Sequence, residues 1–531
     1  MNLAELALRH ARESADTVAI RMGTECLTYA ELASESKRVA DGLADLGVLH
    51  GDRVMMFSEN CLEYLVVYLA TARLGAVFSP VHASFQVNEL SFVLANATPR
   101  ALIAQGSLWS RLDRCDPALV PSVRIDIDGR RGDLVTYAEL GRNSSSDISV
   151  ATVSDDDPIL ICYTSGTTDR PHPVARSHAH EIWNARTYAD VWDYRPGDIG
   201  LVTLPLSWLW GLSSLSQALL SVGATIVLHA EFDAFQVLDE IERSQISLFT
   251  GTMSMFTALS SAINTTSHDL SSLRRVYRGG EPINNEVVRN LEARLGLRLT
   301  DAYATTEVAP VLAVDPNRDT EAPPFTAGRL VPGAQVRLVD DNGVDVAVGE
   351  VGEAWLGGRG LMLGYWNEPE LTKDRMTADG WFRSGDLLVE SKDGFYFVVG
   401  RSSDVIIRNG AKIAPAEVES ALAGISGVLD AAAVGVPDDE FGESIVAFLV
   451  LAPDCVVSVD DVYDHLSDRI ARFKLPSNIY FVDTLPVRRN EKRDRASIRR
   501  HALEAVAQGS ASFGSTTIVR ETGRARLRIV D

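Results

Sequence analysis

Short apolar segments alternate with helix-length segments through the first 300 residues, and no other feature of the chain constrains its fold as strongly. Residues 27–47 space Leu, Ala and Val as a helix does, and a Gly-Asp turn then leads into an apolar strand. Further buried strands are predicted at 72–81, 100–105, 224–229, 246–251, 273–280 and 298–304. Because strands separated by helices form parallel sheets, we predict an α/β fold with doubly wound sheets.

The pattern changes twice towards the C-terminus. From about residue 325, Asp-Asn-Gly and Gly-Glu turns separate short strands, which predicts a β-rich subdomain. A polar, Gly-bounded junction at 400–410 precedes a compact helix–strand–strand pattern. Since 531 residues exceed what one core usually organises, we predict a large N-terminal domain (1–400), a small mobile α+β domain (401–505) and a tail (506–531).

Charge and cysteine content exclude several classes of protein. The chain has 50 basic and 72 acidic residues, and a net charge of -22 argues against nucleic-acid or anionic-membrane partners. The N-terminus does not resemble a signal peptide, and the longest apolar run, from Tyr64, is interrupted by Arg73. Five scattered cysteines without a CxxC pair favour reduced thiols. We therefore expect a cytoplasmic protein with no membrane partner.

The segment 159–178, ILICYTSGTTDRPHPVARSH, contains the most informative local motif. An apolar strand leads into small hydroxyl residues around a glycine, namely Thr164, Ser165, Gly166, Thr167 and Thr168. Backbone N–H groups and hydroxyls in such a loop can hold a polyphosphate, which predicts a site for the β- and γ-phosphates of ATP. A plain Ser/Thr turn is the structural alternative.

This segment resembles the phosphate loop of the adenylate-forming superfamily of AMP-dependent synthetases and ligases, which includes acyl-CoA synthetases, luciferases and peptide-synthetase adenylation domains. Seven other segments are similar to motifs of that family, and they occur in the family's order. They are GAVFSPVHASFQVNEL (75–90), RGGEPI (278–283), DAYATTE (301–307), GEAWLGGRGLMLGYWNEPELT (352–372), WFRSGDL (381–387), GRSSDVIIRNGAKIAPAEVE (400–419) and LPVRRNEKRDRASIR (485–499). The resemblance covers roughly residues 10–505.

The resemblance implies ATP and Mg²⁺ as cofactors. Glu307 would ligate the ion that bridges the ATP phosphates, because a hard cation needs an oxygen ligand. Thr305 would bind the nucleotide and Thr306 would take part in catalysis. Tyr303 would stack on adenine. The base would also be lined by Gly280, Glu281 and Pro282.

Three further residues receive roles from the resemblance. Asp386 would accept both ribose hydroxyls, and Arg401 would reach the ribose or the α-phosphate. Lys492 would bridge the substrate carboxylate and the α-phosphate, and so neutralise charge in the transition state. The small domain would rotate about 401–404 between the two half-reactions.

Several positions depart from the family pattern. The phosphate loop has Asp169 for glycine, His172 for lysine and Pro173 for glycine. A neutral imidazole supplies less charge than an ammonium, so we expect weaker ATP binding or a slower first half-reaction unless Arg170 or Arg176 compensates. The other departures are Ala304, Ser403 and Glu491.

The resemblance places the acid-binding pocket in the segment 204–220, LPLSWLWGLSSLSQALL. The predicted lining is Trp208, Trp210, Gly211, Ser214, Gly279, Ala302 and Val311. No acidic residue occurs between Leu201 and Leu228, and an unpaired buried ammonium is costly, so an α-amino acid is disfavoured. Two tryptophans with small neighbours favour an aromatic or compact apolar acid. An ordinary protein core would have the same composition.

We therefore expect an ATP- and Mg²⁺-dependent ligase that converts a small-molecule acid to acyl-AMP. The acceptor would be CoA or the phosphopantetheine of a carrier protein. Two alternatives stay open: a member that passes an activated acid, carboxylate or nitrite, to an amine, and an impaired nucleotide-binding sensor. The sequence leaves open whether the protein is a monomer or a homodimer.

Overall fold

The computed structural model describes residues 1–164, 170–279, 285–409, 411–438, 441–452, 455–487, 493–508, 510–512 and 517–519. Within these residues the strands are β1 (Val18–Met22), β2 (Glu25–Thr28), β3 (Arg53–Ser58), β4 (Val77–His82), β5 (Ala101–Ala104), β6 (Val123–Asp126), β7 (Val135–Thr136), β8 (Pro158–Thr164), β9 (His172–Ser177), β10 (Ile199–Val202), β11 (Thr225–Leu228), β12 (Leu248–Gly251), β13 (Arg275–Gly279), β14 (Leu299–Tyr303), β15 (Leu312–Ala313), β16 (Arg329–Leu330), β17 (Ala334–Val339), β18 (Val351–Gly358), β19 (Gly364–Tyr365), β20 (Phe382–Glu390), β21 (Tyr396–Arg401), β22 (Ile406–Arg408), β23 (Ala411–Ile413), β24 (Val428–Asp438), β25 (Gly442–Leu451), β26 (Asn478–Phe481), β27 (Ser510–Ser512) and β28 (Thr517–Val519).

The α-helices of the same residues are α1 (Glu5–Leu8), α2 (His10–Glu13), α3 (Tyr29–Asp45), α4 (Leu62–Leu74), α5 (Val87–Ala97), α6 (Trp109–Leu112), α7 (His178–Val191), α8 (Ala218–Val222), α9 (Ala234–Ser244), α10 (Met253–Ile263), α11 (Asn285–Leu295), α12 (Pro369–Arg375), α13 (Pro415–Ala423), α14 (Val459–Ser467) and α15 (Arg495–Gln508). A π-helix spans Trp210–Gln217, and short 3₁₀ helices span Gly106–Leu108, Ser402–Asp404 and Arg472–Lys474. No helix in the described part of the chain combines the length and the apolar character that crossing a membrane requires.

Two large sheets confirm the predicted α/β fold. One has the order β19-β9-β8-β4-β3-β5-β6-β7, and the other has the order β16-β15-β14-β13-β12-β10-β11-β1-β2. Their central strands are parallel, as expected for strands joined through helices, whereas β2, β9, β15 and β16 pair antiparallel. The sheets are therefore mixed, with a parallel centre.

The main core lies between these sheets. Side chains of alternate residues from both sheets, such as Met56 and Val202, join one cluster with α3, α4, α7 and α8. The intervening residues of the same strands, such as Met55 and Leu201, pack into separate clusters on the outer faces. Each sheet is thus covered on both faces, and the π-helix Trp210–Gln217 lies in the central layer.

The predicted strand at 72–81 is wrong in its first half. Helix α4 continues to Leu74 and ends at Gly75, whose φ of 66° terminates the helix, and β4 begins only at Val77. Every α4 residue from Tyr64 to Leu74 is buried, so the helix shows no polar face. A helix buried all round has the same continuous apolar pattern as a buried strand, which explains the error.

The β-rich segment forms a separate four-stranded antiparallel sheet in the order β17-β18-β20-β21. Asp386 on β20 and Arg401 on β21 are directly opposite each other in its register. Within the same part of the chain, β19 joins the edge of the eight-stranded sheet by pairing with β9. This pairing brings the segment after β18 beside the strand that follows the phosphate loop.

The C-terminal part has its own sheet, formed by β22 to β26. Helices α13 and α15 contact β24, and two clusters of buried apolar side chains lie there. The 3₁₀ turn Ser402–Asp404 lies between β21 and β22. Helix α15 ends at Gln508, and the hairpin β27–β28 follows it.

Candidate active site

Glu307 lies in a tight turn after β14. The backbone N–H of Thr305 donates to the carbonyl of Val308 (3.0 Å), and the N–H of Val308 donates to Oγ1 of Thr305 (3.0 Å). Val308 is fully buried, whereas Thr305, Thr306 and Glu307 are only partly buried. The turn therefore follows the carboxyl end of a parallel strand, where open α/β sheets bind their ligands.

Tyr365 fixes one oxygen of the Glu307 carboxylate. Its hydroxyl donates a hydrogen bond of 2.8 Å to Oε1 of Glu307. Burial, and then the nearby Glu307 charge, raise the pKa of Tyr365, so the phenol stays a neutral donor. Tyr365 lies in the segment GEAWLGGRGLMLGYWNEPELT, whose resemblance to a family motif was the only sequence signal for this residue.

His172 packs against the same tyrosine. The two rings meet edge to face, with centroids 5.4 Å apart. Partial burial lowers the pKa of His172, opposed by Glu307 and assisted by Arg375. The imidazole at this position of the phosphate-loop strand is therefore neutral near pH 7.

The two arginines that were expected to compensate for the missing lysine lie in different surroundings. Arg170 is exposed, with its guanidinium 6.0 Å from the centre of the Phe92 ring. Arg176 is completely buried and its guanidinium is bonded to protein groups, so of the two predicted alternatives only Arg170 is left to compensate.

The structure brings Tyr303, Asp386 and Arg401 together. The Tyr303 hydroxyl donates to Oδ2 of Asp386 (2.6 Å), and Nε of Arg401 lies 2.9 Å from Oδ1. Asp386 is 5% exposed, while the Arg401 side chain is 49% exposed. Asp386, the predicted ribose ligand, is therefore held in place by Tyr303 and by Arg401, the first residue of the predicted hinge 401–404.

Other predicted nucleotide ligands lie outside the described residues. These are Ser165, Gly166, Thr167, Thr168, Gly280, Glu281, Pro282 and Lys492, together with the atypical Asp169 and Glu491. Thr164 is described as the last residue of β8, and its register partner on β9 is His172.

The predicted acid pocket contains a close contact between an indole ring and a glycine. A Cβ atom added to Gly279 would lie 3.3 Å from Cη2 of Trp210 and 3.2 Å from the carbonyl oxygen of Ala302. A Cβ atom added to Gly211 would lie only 2.4 Å from the carbonyl oxygen of Pro205. The backbone thus leaves no room for a side chain at Gly211, and a side chain at Gly279 would need its neighbours to shift by a few tenths of an ångström.

Trp208 lies against a residue that the sequence analysis missed. Its ring stacks on His82, with centroids 5.7 Å apart and planes inclined by 21°. Burial lowers the pKa of His82, so the stack is between neutral rings near pH 7. His82 follows the Pro-Val pair of the quoted segment 75–90, which was its only signal.

Two other predicted lining residues have structural partners. The Ser214 hydroxyl lies 3.3 Å from the amide of the buried Asn184. Val311 is fully buried in a cluster with Val174, Val308 and Leu356, whereas Trp210 and Ala302 pack against the central core. The structure thus places Val311 in a different cluster from Trp210.

The donor set suits a magnesium ion that depends on its nucleotide. Among the described residues, no group of three or more His, Cys, Asp and Glu side chains could hold a metal ion. Mg²⁺ usually keeps several waters and is bound through one or two carboxylates plus substrate phosphates. The partly buried Glu307 carboxylate can be such a ligand, and ATP would supply the rest.

Comparison with known proteins identifies related enzymes. A family described as AMP-binding enzyme matches residues 8–366, and the AMP-binding enzyme C-terminal domain matches residues 417–492. Indoleacetate–CoA ligase of Aromatoleum aromaticum is 34% identical over 92% of this chain and 95% of its own. Feruloyl-CoA synthase of an Amycolatopsis species is 34% identical over 93% and 97%, respectively. An amide bond synthetase from Marinactinospora thermotolerans has a TM-score of 0.86 at 26% identity, over 94% of this chain and 99% of its own.

Proposed function

The chain belongs to the adenylate-forming AMP-binding enzyme family and is an AMP-forming acid ligase, and on that premise we propose that it converts an aromatic carboxylic acid to its CoA thioester. The carboxylate attacks the α-phosphorus of ATP and pyrophosphate leaves, which gives acyl-AMP. The CoA sulfur then attacks the acyl carbon, its proton is released and AMP leaves.

The contact between Trp210 and Gly279 carries the proposal of an aromatic acid. The edge of the Trp210 ring occupies the space beside Gly279, and the Trp208–His82 stack adds two further rings. We infer that a pocket lined by these rings favours a planar acid over a flexible chain. Two related enzymes support this choice, since their names specify indoleacetate and a feruloyl group.

We assign the nucleotide to the cluster of Tyr303, Asp386 and Glu307. Tyr303 contacts the adenine, and Asp386 accepts the ribose hydroxyls while Tyr303 and Arg401 keep its carboxylate oriented. Glu307 binds Mg²⁺, which supplies charge neutralisation at the phosphates when it is bound. Lys492, outside the described residues, bridges the carboxylate and the α-phosphate.

The junction after β21 is the proposed hinge between the two half-reactions. Arg401 bonds Asp386 on the large domain, and Nε of Arg495 on α15 lies 3.3 Å from Oδ2 of Asp404. The first contact precedes Ser402 and Ser403 and the second follows them, so rotation of the backbone there would turn the small domain while both ion pairs stay intact. The exposure of Arg401 leaves its side chain room to move.

An amine is the second candidate acceptor. The likeness to an amide bond synthetase over 94% of this chain favours it. Both acceptors would react with the same acyl-AMP, so the first half-reaction does not distinguish them.

Release of pyrophosphate across a panel of acids tests this proposal. Aryl acids such as indoleacetate and ferulate, matched aliphatic acids and α-amino acids are supplied with ATP and Mg²⁺, with and without CoA or an amine. We expect turnover with aryl acids and thioester only when CoA is present. Turnover with aliphatic acids but not with aryl acids would contradict the proposed substrate class. Amide formation with no thioester would show that the acceptor is the amine and not CoA.

A further inference from the structure

Arg176 is an unusual side chain for the interior of this protein. It lies on β9 with none of its surface exposed, although a buried guanidinium is costly unless every part of it is paired. Buried polar groups of this kind need a complete set of partners. Its partners therefore indicate what the residue does.

Four protein groups surround the guanidinium. Nη1 donates to the carbonyls of Thr306 (3.1 Å) and Gly360 (3.0 Å), and Nη2 donates to the carbonyl of Ala309 (3.3 Å). Nε pairs with the carboxylate of Glu181 on α7, which is also fully buried. The charge is thus neutralised within the core, while the planar fork holds three backbone carbonyls.

These carbonyls belong to the two segments that form the Glu307 site. Thr306 and Ala309 flank Glu307 in the turn after β14, and Gly360 precedes Tyr365, whose hydroxyl bonds the Glu307 carboxylate. A direct backbone contact also joins the segments, because the N–H of Met362 donates to the carbonyl of Glu307 (2.7 Å). Through its hydrogen bonds, Arg176 connects both segments to β9, the strand that follows the phosphate loop.

We propose that Arg176 is a positioning residue which, through its bonds to the carbonyls of Thr306, Ala309 and Gly360, holds the Glu307 carboxylate where Mg²⁺·ATP requires it. The residue does not touch the nucleotide. The inference rests on the proposed role of Glu307 as the magnesium ligand. Groups that orient a metal ligand typically change metal affinity by about 10–100-fold when they are removed.

A double substitution distinguishes the loss of Glu307 positioning from a loss of protein stability. Arg176→Met alone leaves the Glu181 charge buried without its partner, which is strongly destabilising, whereas Arg176→Met with Glu181→Met replaces a buried ion pair by apolar side chains. Arg176→Lys is the second variant, since it keeps a charge opposite Glu181 but loses the fork that reaches three carbonyls. Arg274→Met is the control, because that arginine is part-buried and bonds Asp193 and Asp198 rather than the carbonyls beside Glu307.

The measurement is ATP binding by calorimetry as a function of Mg²⁺ concentration, alongside thermal unfolding. We expect the double variant and Arg176→Lys to remain folded, and the Mg²⁺ required for half-maximal ATP binding to rise by about tenfold in both. Arg274→Met should match the wild type. Folded Arg176→Lys with the wild-type Mg²⁺ requirement would overturn the inference, even if the double variant does not fold.

Glu307→Gln distinguishes this inference from the function on which it rests. If Glu307→Gln leaves the Mg²⁺ dependence of ATP binding unchanged, the proposed metal ligand is wrong, and the inference about Arg176 is overturned with it. If Glu307→Gln abolishes that dependence while the Arg176 variants retain it, only the inference about Arg176 fails.

Discussion

The Tyr365 hydroxyl donates to Oε1 of Glu307 over 2.8 Å, which joins the edge strand β19 to the turn that carries the proposed magnesium ligand. The bond depends on the pairing of β19 with β9, and β9 is the strand that leaves the phosphate loop. Three segments that are distant in the sequence therefore meet at one carboxylate.

Tyr365→Phe should weaken Mg²⁺-dependent catalysis without unfolding the protein. The substitution removes one hydrogen bond to a charged group, worth roughly 1.5–3 kcal/mol. We expect the Mg²⁺ concentration for half-maximal pyrophosphate release to rise by about tenfold or more. An unchanged Mg²⁺ requirement in a folded variant would show that Tyr365 does not orient Glu307.

Gly279→Ala should restrict the acid pocket. The added methyl group would lie 3.3 Å from the Trp210 ring and 3.2 Å from the Ala302 carbonyl, closer than most contacts of this kind. We expect kcat/KM for bicyclic aryl acids to fall by at least tenfold, and for benzoate-sized acids to fall less.

Gly251→Ala is the matched control for that variant. Gly251 ends the neighbouring strand β12, and its added Cβ would make ordinary contacts of 3.4–3.5 Å with Met255 and Phe249. Equal losses in the two variants, or an equal loss for all acid sizes in Gly279→Ala, would count against the position of the pocket.

His172→Lys should accelerate the first half-reaction. Burial lowers the pKa of His172, so the native imidazole contributes no charge near pH 7, whereas a lysine would add an ammonium beside Glu307 and Tyr365. We expect faster pyrophosphate release at saturating acid in a stopped-flow assay. His172→Gln, which stays uncharged, is the control and should not be faster; equal rates for Lys and Gln would show that charge at this position is unimportant.

The histidines at the start of α7 should make the protein sensitive to acid. Burial lowers the pKa of both His178 and His180 to about 4, and Nδ1 of His178 accepts the N–H of Leu3 (3.1 Å). Their ordinary pKa is 6.5, so between pH 6.5 and 4 the unfolded chain binds more protons than the folded protein. The free energy of unfolding is therefore highest above pH 6.5 and falls as the pH drops towards 4.

Urea unfolding across that pH range measures this effect. His180→Gln should flatten the decrease, because glutamine does not titrate and its side chain can still accept the Ser177 N–H that His180 accepts at 3.2 Å. The control His268→Gln changes a histidine outside α7, whose Nε2 lies 2.8 Å from the exposed Asp239 carboxylate. A slope in His180→Gln equal to that of the wild type would exclude the histidine as its source.

Motif order and strand alternation were sufficient to predict the family, the α/β sheets and the β-rich segment. The sequence did not reveal which groups the side chains of the site bond to. Arg176 and Glu181 are five positions apart, but the carbonyls that Arg176 binds lie 130 to 184 positions away. A backbone carbonyl has no sequence signature. The charge of Arg176 therefore suggested a phosphate contact, whereas its guanidinium is buried and donates to backbone carbonyls.

The same limit explains one other difference. The boundary between α4 and β4 was placed wrongly because both elements are buried on every side and share one apolar pattern. Val311 was assigned to the pocket by rough alignment and packs with Val174, Val308 and Leu356, so its place in the pocket lining stays a prediction. Tertiary packing, rather than local propensity, fixed each of these positions.

The most direct test of the proposed function is the product formed in competition. The enzyme is incubated with ATP, Mg²⁺, CoA and equimolar aryl and aliphatic acids, and the thioesters and AMP are quantified by mass spectrometry. We predict aryl-CoA as the main product, with one AMP formed per thioester. Aliphatic thioester as the main product, or AMP formation without any thioester, would contradict it.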